Sequence, residues 1–222
     1  EVLVKAGDRI RVGQALLRGA GLSVLAVAAC TPERHALRIV DEHIEAVDLD
    51  ADVDVVGISF MTAHAPRAYQ LGDEFRRRGR TVVFGGMHPT FMAAEALEHC
   101  DAVVRGEAET SWPEVLQDIE RHRLRRIYQS RQPVDLAALQ PVPRHLLRKT
   151  GYITVNAVQV TRGCPNACQY CSVRQFYGRR QRFRPLDRVV EELRSIPGLF
   201  VLFIDDNITG DVEYAKGLFR AI

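Results

Sequence analysis

The sequence predicts an α/β protein: a doubly wound parallel sheet, a linker, and then the opening strand–helix units of a β/α barrel. Three observations carry this. Short apolar runs alternate with longer amphipathic segments up to about Glu120. Periodicity lapses between Leu124 and Gly151, where Gln132-Pro133 and Pro141-Val142-Pro143 interrupt it. Strand–helix alternation then resumes at Tyr152 and continues to the last residue. The predicted divisions are residues 1–123, a linker over 124–151, and 152–222.

Taken in order, Val2-Leu3-Val4 reads as a first strand and Leu16 to Ala29 as a helix closed by Thr31-Pro32. Leu37 to Val40 is a second strand. Val53 to Phe60 is a near-continuous apolar run, the mark of a strand buried on both faces. The next helix has Pro66 in its first turn and buries Ala68, Leu71 and Phe75. Thr81 to Phe84 is a strand, Gly85-Gly86-Met87-His88-Pro89 a loop, and Thr90 to His99 a helix. Ala102 to Val104 runs into Arg105-Gly106-Glu107, and Ser111-Trp112-Pro113-Glu114 has the spacing of a capping box opening a helix to Arg121. In the last part Tyr152 to Thr161 is a strand, Pro185 to Ile196 a helix, Leu199 to Ile204 an apolar strand, and Asp211 to Ala221 a helix. Two such units cannot close a barrel, so further units are expected to follow, and residues are expected before Glu1.

Composition limits the function classes. A chain of 222 residues, 46% hydrophobic and 26% charged, has the proportions of a soluble globular protein. A net charge of +2 gives no global reason for a nucleic-acid or anionic-membrane partner. The runs Arg76-Arg77-Arg78 and Arg121 to Arg126 read as solvated faces. No stretch reaches the ~20 apolar residues of a membrane span. No signal peptide is visible, and a cytoplasmic location is expected.

Five cysteines, three of them within eight residues, argue for metal ligation in a reducing compartment and against a disulfide framework. Cys30 and Cys100 lie in apolar helical context and read as inert buried thiols. Cys164-Pro-Asn-Ala-Cys168-Gln-Tyr-Cys171 is C-x3-C-x2-C on a loop directly after a strand. The count is informative, because a structural zinc site is normally closed by four ligands. Three thiolates on a cubane leave one iron open to a substrate. The rival reading is a zinc knuckle. Phe203-Ile204-Asp205-Asp206-Asn207 places carboxylates at a strand end, the functional edge of a β/α barrel, although either aspartate could instead cap the next helix. Arg174 and the run Gly178 to Arg184 are placed to shield negative charge or to form an exposed loop.

The three-cysteine spacing resembles the radical S-adenosylmethionine superfamily. The resemblance implies a [4Fe–4S] cluster on Cys164, Cys168 and Cys171, with S-adenosylmethionine chelated at the open iron and cleaved to a 5′-deoxyadenosyl radical. It places Tyr170 against the adenine, and Asp205 and Asp206 near the amino group or ribose, although no Gly-Gly-Glu precedes them. The doubly wound domain upstream, through Arg38 to Glu42, Val56 to Thr62, Val83 to Thr90 and Arg105 to Glu109, resembles the cobalamin-binding subclass of the same superfamily. That implies a Rossmann-like domain with cobalamin between it and a partial TIM barrel. The cobalamin contacts would be Ser59, Met61, Thr62, Gly85, Gly86, His88, Gly106 and Glu107.

Each has a physical reason to stand there. The glycines let backbone approach a bulky ligand, and the hydroxyls of Ser59 and Thr62 lie at a strand end. The chain departs from better-known cobalamin proteins in lacking Asp-x-His-x-x-Gly. Asp41-Glu42-His43 follows the second strand, position 46 is alanine, and His43 reads as an ordinary loop histidine. The activity so implied is methylation of an unactivated carbon of a small-molecule substrate, fed by an external flavodoxin- or ferredoxin-type electron donor. Two alternatives stay open: a radical enzyme without cobalamin or with a cyclisation or rearrangement outcome, and a zinc-stabilised binding module.

Overall fold

The protein is described from a computed structural model, covering residues 2–3, 11–16, 22–42, 44–147, 156–198 and 200–222. The sequence readings at Val4, His43, residues 17–21, 148–155 and Leu199 fall outside the described residues. The chain divides into two compact units, residues 1–132 with 142–151, and residues 133–141 with 152–222.

In the first unit a six-stranded parallel sheet has the order β3-β2-β4-β5-β6-β7. Its strands are β2 (Arg11–Leu16), β3 (Ala36–Asp41), β4 (Val55–Ser59), β5 (Thr81–Gly85), β6 (Ala102–Arg105) and β7 (Ile127–Gln129). A two-residue β1 (Val2–Leu3) is antiparallel beside β3. Helices α1 (Leu22–Ala29), α2 (Ala65–Arg77), α3 (Met87–Phe91), α4 (Ala93–Ala96) and α5 (Ser111–Glu120) connect the strands. The apolar strands are sorted by their alternation. Val56 and Ile58 of β4, Val82 and Phe84 of β5 and Val103 of β6 pack with Ala65, Ala68, Leu71 and Phe75 of α2. The intervening Val55, Val83, Ala102 and Val104 pack with Trp112, Val115 and Leu116 of α5 on the opposite face. Burial on both sides is why these runs carry almost no polar residues.

Several expectations need correction. Leu16 belongs to β2 and not to a helix. The predicted helix Thr90 to His99 is two short helices, broken at Met92, where φ is −112° and ψ 43°. The capping box fails: α5 begins at Ser111 itself, which is buried, and Thr110 at the cap makes no side-chain bond. Ile127–Gln129, expected in the linker, pairs with β6, and buried Tyr128 gives it an anchor by donating its hydroxyl to Asp118 at 3.0 Å. The Arg76-Arg77-Arg78 run, by contrast, is the solvated face expected of it, its charges paired at the surface, Arg76 with Asp101, Arg77 with Glu74 and Arg78 with Asp50.

In the second unit β8 (Ala157–Val158) runs parallel to β11 (Leu202–Phe203), and β9 (Thr161–Arg162) pairs antiparallel with β10 (Arg182–Phe183). Helices α6 (Val173–Tyr177), α7 (Leu186–Ser195) and α8 (Val212–Ala221) complete it. Val158, Val160, Val189 and Leu218 form the core. Asp211 caps α8 by accepting from Tyr214 N at 2.8 Å. Arg184 and Glu192 form an ion pair of 2.6 Å with side chains 12% and 7% exposed, and Arg184 also donates to the Gln159 carbonyl at 3.2 Å. The apolar run before Asp205 is less buried than expected: Phe200 is 73% and Leu202 48% exposed.

Candidate functional site

The two units each present a site at strand ends. In the first, β2 lies between β3 and β4, so the chain reverses direction of travel across the sheet there. The crevice beyond such strand ends is where doubly wound folds take ligands. Register places Leu16 of β2 opposite both Asp41 and Ser59, and Ser59 opposite Gly85, so the four residues form one row along this edge.

The sequence-predicted residues gather at that row. Met61 is 53% exposed, and Thr62 opens a single 3-10 turn (Thr62–His64) that carries the chain into α2. Gly86 has φ +93°, and a Cβ there would lie 2.9 Å from Phe60 N, Phe60 O and Ser59 Oγ. The close approach this glycine permits is therefore that of the end of β4, tied down by Phe60 N to Gly85 O and His88 N to Phe60 O, each 3.2 Å. Gly85 is roomier, its nearest neighbour being the Val104 carbonyl at 3.8 Å.

Gly106, with φ +74°, donates its N–H to Thr90 Oγ1 at 2.9 Å, and Thr90 donates that hydroxyl to the Gly86 carbonyl at 2.7 Å. Thr90 thus joins the loops after β5 and β6. Glu107 is half-buried beside Gly106. His88 is buried, and both ring nitrogens are engaged, Nδ1 with Thr62 Oγ1 at 3.1 Å and Nε2 with the Tyr69 hydroxyl at 2.8 Å. Tyr69 in turn donates to Glu95 Oε1 at 2.9 Å. Tyr69 and Glu95 carry no motif, and only their position reveals them, while Thr90 ends the Val83 to Thr90 segment without being one of its predicted contacts.

In the second unit the three cysteines occupy the loop between β9 and α6. Gly163, with φ +85°, turns the chain out of β9, where a Cβ would lie 3.0 Å from the Arg180 carbonyl. Cys164 and Cys171 are half-buried and Cys168 exposed, and Cys171 N donates to the Cys168 carbonyl at 3.3 Å. Tyr170 projects from the loop, 92% exposed. Among the described residues no three His, Cys, Asp or Glu side chains stand close enough to hold a metal. The thiols share one loop but are not drawn together, as expected where the bound group itself gathers the ligands.

The neighbouring strand end meets this loop. Asn207 Nδ2 donates to Cys164 Sγ at 3.5 Å, and Gly163 N to Asp206 Oδ2 at 3.3 Å. Asp205 Oδ1 accepts from Val160 N at 3.0 Å, from Thr161 Oγ1 at 2.8 Å and from Thr161 N. Its Oδ2 is buried and meets no donor among the described residues. Burial raises the pKa of Asp205 against the pull of those three hydrogen bonds, and burial likewise raises Asp206.

Gln181, buried, bridges Thr161 Oγ1 at 3.4 Å and the Asn207 carbonyl at 2.7 Å. Gly210 admits it: a Cβ there would lie 2.5 Å from Gln181 Oε1 and 2.9 Å from Pro165 Cδ. Within the predicted basic run, Arg179 and Arg180 are exposed, Arg182 donates to the Val134 carbonyl at 2.7 Å, and the half-buried Arg184 pairs with buried Glu192. The run is therefore split between exposed charge and core.

The donor chemistry fits the implied groups: three thiols for iron, a buried carboxylate oxygen open to an N–H or O–H donor, and a glycine-built edge at the switch point. No helix among the described residues is long and apolar enough to cross a membrane.

Residues 10–116 match the B12 binding domain family and residues 158–222 the radical SAM superfamily. The chain is 38% identical over 179 residues to bacteriochlorophyllide d C-8(2)-methyltransferase of Chlorobaculum tepidum, covering 76% of this chain and 40% of that protein. It superposes on the cobalamin-dependent S-adenosylmethionine radical enzyme OxsB, solved with aqua-cobalamin and S-adenosylmethionine bound. That match has a TM-score of 0.72 at 14% identity, over 94% of this chain and 37% of that one. The radical S-adenosylmethionine methyltransferase TsrM from Kitasatospora setae, solved with tryptophan and an S-adenosylmethionine analogue, matches with a TM-score of 0.68 at 16% identity, over 94% and 50%. The chain spans half the length or less of the curated relatives it matches.

Proposed function

The chain belongs to the radical S-adenosylmethionine superfamily, in the group that carries a B12-binding domain, and we propose that it acts as a cobalamin-dependent methyltransferase on an unactivated carbon. The observation that carries this is the meeting of the cysteine loop with the Asp205-Asp206-Asn207 strand end, in a chain whose other unit is a B12-binding fold. When bound, a [4Fe–4S] cluster supplies the electron that splits the sulfonium of S-adenosylmethionine, and cobalamin carries the methyl group.

The protein's own residues hold and orient. Cys164, Cys168 and Cys171 supply three thiolates. Asn207 Nδ2 donates to the Cys164 sulfur, which spreads negative charge over a sulfur that would be coupled to iron. Asp205 is fixed through Oδ1 to β9, leaving Oδ2 to accept from the ammonium or ribose of S-adenosylmethionine. Tyr170, with its face open, stacks on the adenine. In the other unit Ser59, Met61, Thr62, Gly85, Gly86, His88, Gly106 and Glu107 line or support the cobalamin edge. The electron reaches the cluster from an external flavodoxin- or ferredoxin-type donor, and the enzyme works in the reducing cytoplasm.

The test is anaerobic reconstitution with iron, sulfide and hydroxocobalamin, followed by chemical reduction in the presence of S-adenosylmethionine. The expected results are corrinoid absorption retained through gel filtration and release of 5′-deoxyadenosine. A colourless protein holding one zinc and no iron would overturn the reading. Iron and 5′-deoxyadenosine without retained corrinoid would remove cobalamin from it.

A further inference from the structure

A hydrogen-bond chain leads away from the B12-binding edge into the body of the first unit. It runs from Thr62 through His88 of α3 and Tyr69 of α2 to Glu95 of α4. His88 is 5% exposed, its ring 5.6 Å from that of Phe60, while Glu95 has a side chain 46% exposed. The inner links are shielded, and the two ends reach the surface.

The direction of each bond follows from counting protons. Tyr69 has a single hydroxyl proton, and the Glu95 carboxylate, which only accepts, takes it. Burial first, and then this bond, raises the Tyr69 pKa above the usual phenol range, so the phenol keeps that proton. The Tyr69 oxygen must then accept from His88 Nε2, so a neutral His88 carries its proton on Nε2, and Nδ1 must accept. The group within reach of Nδ1 is the Thr62 hydroxyl, which donates. Its proton thus committed inward, the Thr62 oxygen offers only lone pairs to the crevice.

We infer that Tyr69 and Glu95 are positioning residues that act through His88 to fix Thr62 as a hydrogen-bond acceptor for an N–H donor, such as a primary amide on the rim of a corrinoid. This rests on the cobalamin reading above and goes beyond it by assigning a polarity to the site. Without the relay the Thr62 hydroxyl could turn its proton outward and meet an amide N–H donor to donor.

The experiment has two arms on the 222-residue chain. The first needs no ligand: two-bond 1H–15N spectra of the imidazole rings should show His88 as the Nε2–H tautomer. Glu95→Ala, at an exposed helical position, should free the Tyr69 proton to point at Nε2 and move His88 toward the Nδ1–H form. A wild-type His88 already in the Nδ1–H form overturns the proposal. In the second arm hydroxocobalamin is titrated by visible absorbance. Thr62→Val and Tyr69→Phe should each weaken binding by about fivefold, the worth of one hydrogen bond. Thr62→Ser should restore it. The double variant Thr62→Val/Tyr69→Phe should bind no more weakly than Thr62→Val alone, because Tyr69 has no other route to the ligand. Additive losses, or a Tyr69→Phe chain that binds like wild type, overturn the relay while leaving the cobalamin reading standing. A wild-type chain that binds no corrinoid overturns both.

Discussion

Gly86→Ala tests the architecture of the B12-binding edge more sharply than any ligand contact, because its neighbour Gly85 provides a built-in control. A Cβ at Gly86 would stand 2.9 Å from three atoms, two of them backbone, and the residue sits at φ +93°. With ψ at −166° this is an extended positive-φ conformation open essentially to glycine alone, which costs an alanine about 1–3 kcal/mol, and crowding against a backbone that cannot swing aside adds about 1–3 kcal/mol. Against this, alanine stiffens the unfolded chain, worth about 0.4–1 kcal/mol. The net loss is about 2–4 kcal/mol, which for a protein of this size lowers the melting temperature by about 5–15 °C. At Gly85 the nearest atom to a Cβ is 3.8 Å away and the backbone is extended, so Gly85→Ala should leave stability unchanged or raise it by up to about 1 kcal/mol. Thermal melts followed by circular dichroism, with urea titrations as a cross-check, measure both. A Gly86→Ala chain that melts with wild type, or a Gly85→Ala chain equally damaged, would refute the assignment of the tight packing to Gly86.

Other expectations follow from the same geometry. Breaking the enclosed Arg184–Glu192 pair with Glu192→Gln should cost about 3–5 kcal/mol in urea unfolding, and the double change Arg184→Met/Glu192→Leu should recover part of it; equal losses would show that the pair adds nothing beyond packing. Asp205 and Asp206 are raised by burial, so the folded state holds their protons more tightly than the unfolded state does. The stability they contribute is complete below the ordinary carboxyl range and lost as pH rises through the folded values, and Asp205→Asn should flatten that loss above the ordinary carboxyl range. An unchanged slope would count against a buried Asp205. Burial pushes the Cys30 and Cys100 thiols up to about 12, so iodoacetamide at pH 8 should alkylate them on the order of a hundredfold more slowly than the half-exposed loop thiols, as read by mass spectrometry.

Periodicity was enough to find β4, β5 and β6, because a strand buried on both faces cannot carry polar residues and announces itself as an apolar run. It failed for β2, Arg-Val-Gly-Gln-Ala-Leu, where arginine, glycine and glutamine dilute the signal. It failed again for the three residues of β7, which hold their place through Tyr128 and Asp118, not through a pattern. The loss of the capping box at Ser111 has the same origin: the spacing was present, but the hydroxyl is buried and the cap bond was never made.

At the sites, the sequence by itself determined which chemistry was available. Three cysteines at C-x3-C-x2-C, two aspartates ending an apolar run and paired glycines after a strand are local facts, fixed by covalent spacing. Only the tertiary structure decided what each residue is free to do. Asp205 spends one oxygen on Thr161, 44 residues away, and keeps the other; His88 spends both nitrogens on Thr62 and Tyr69. Gly86 makes room for Phe60. Hydrogen-bond partners far apart in the chain are chosen by strand register and helix packing, which no local pattern of residues encodes.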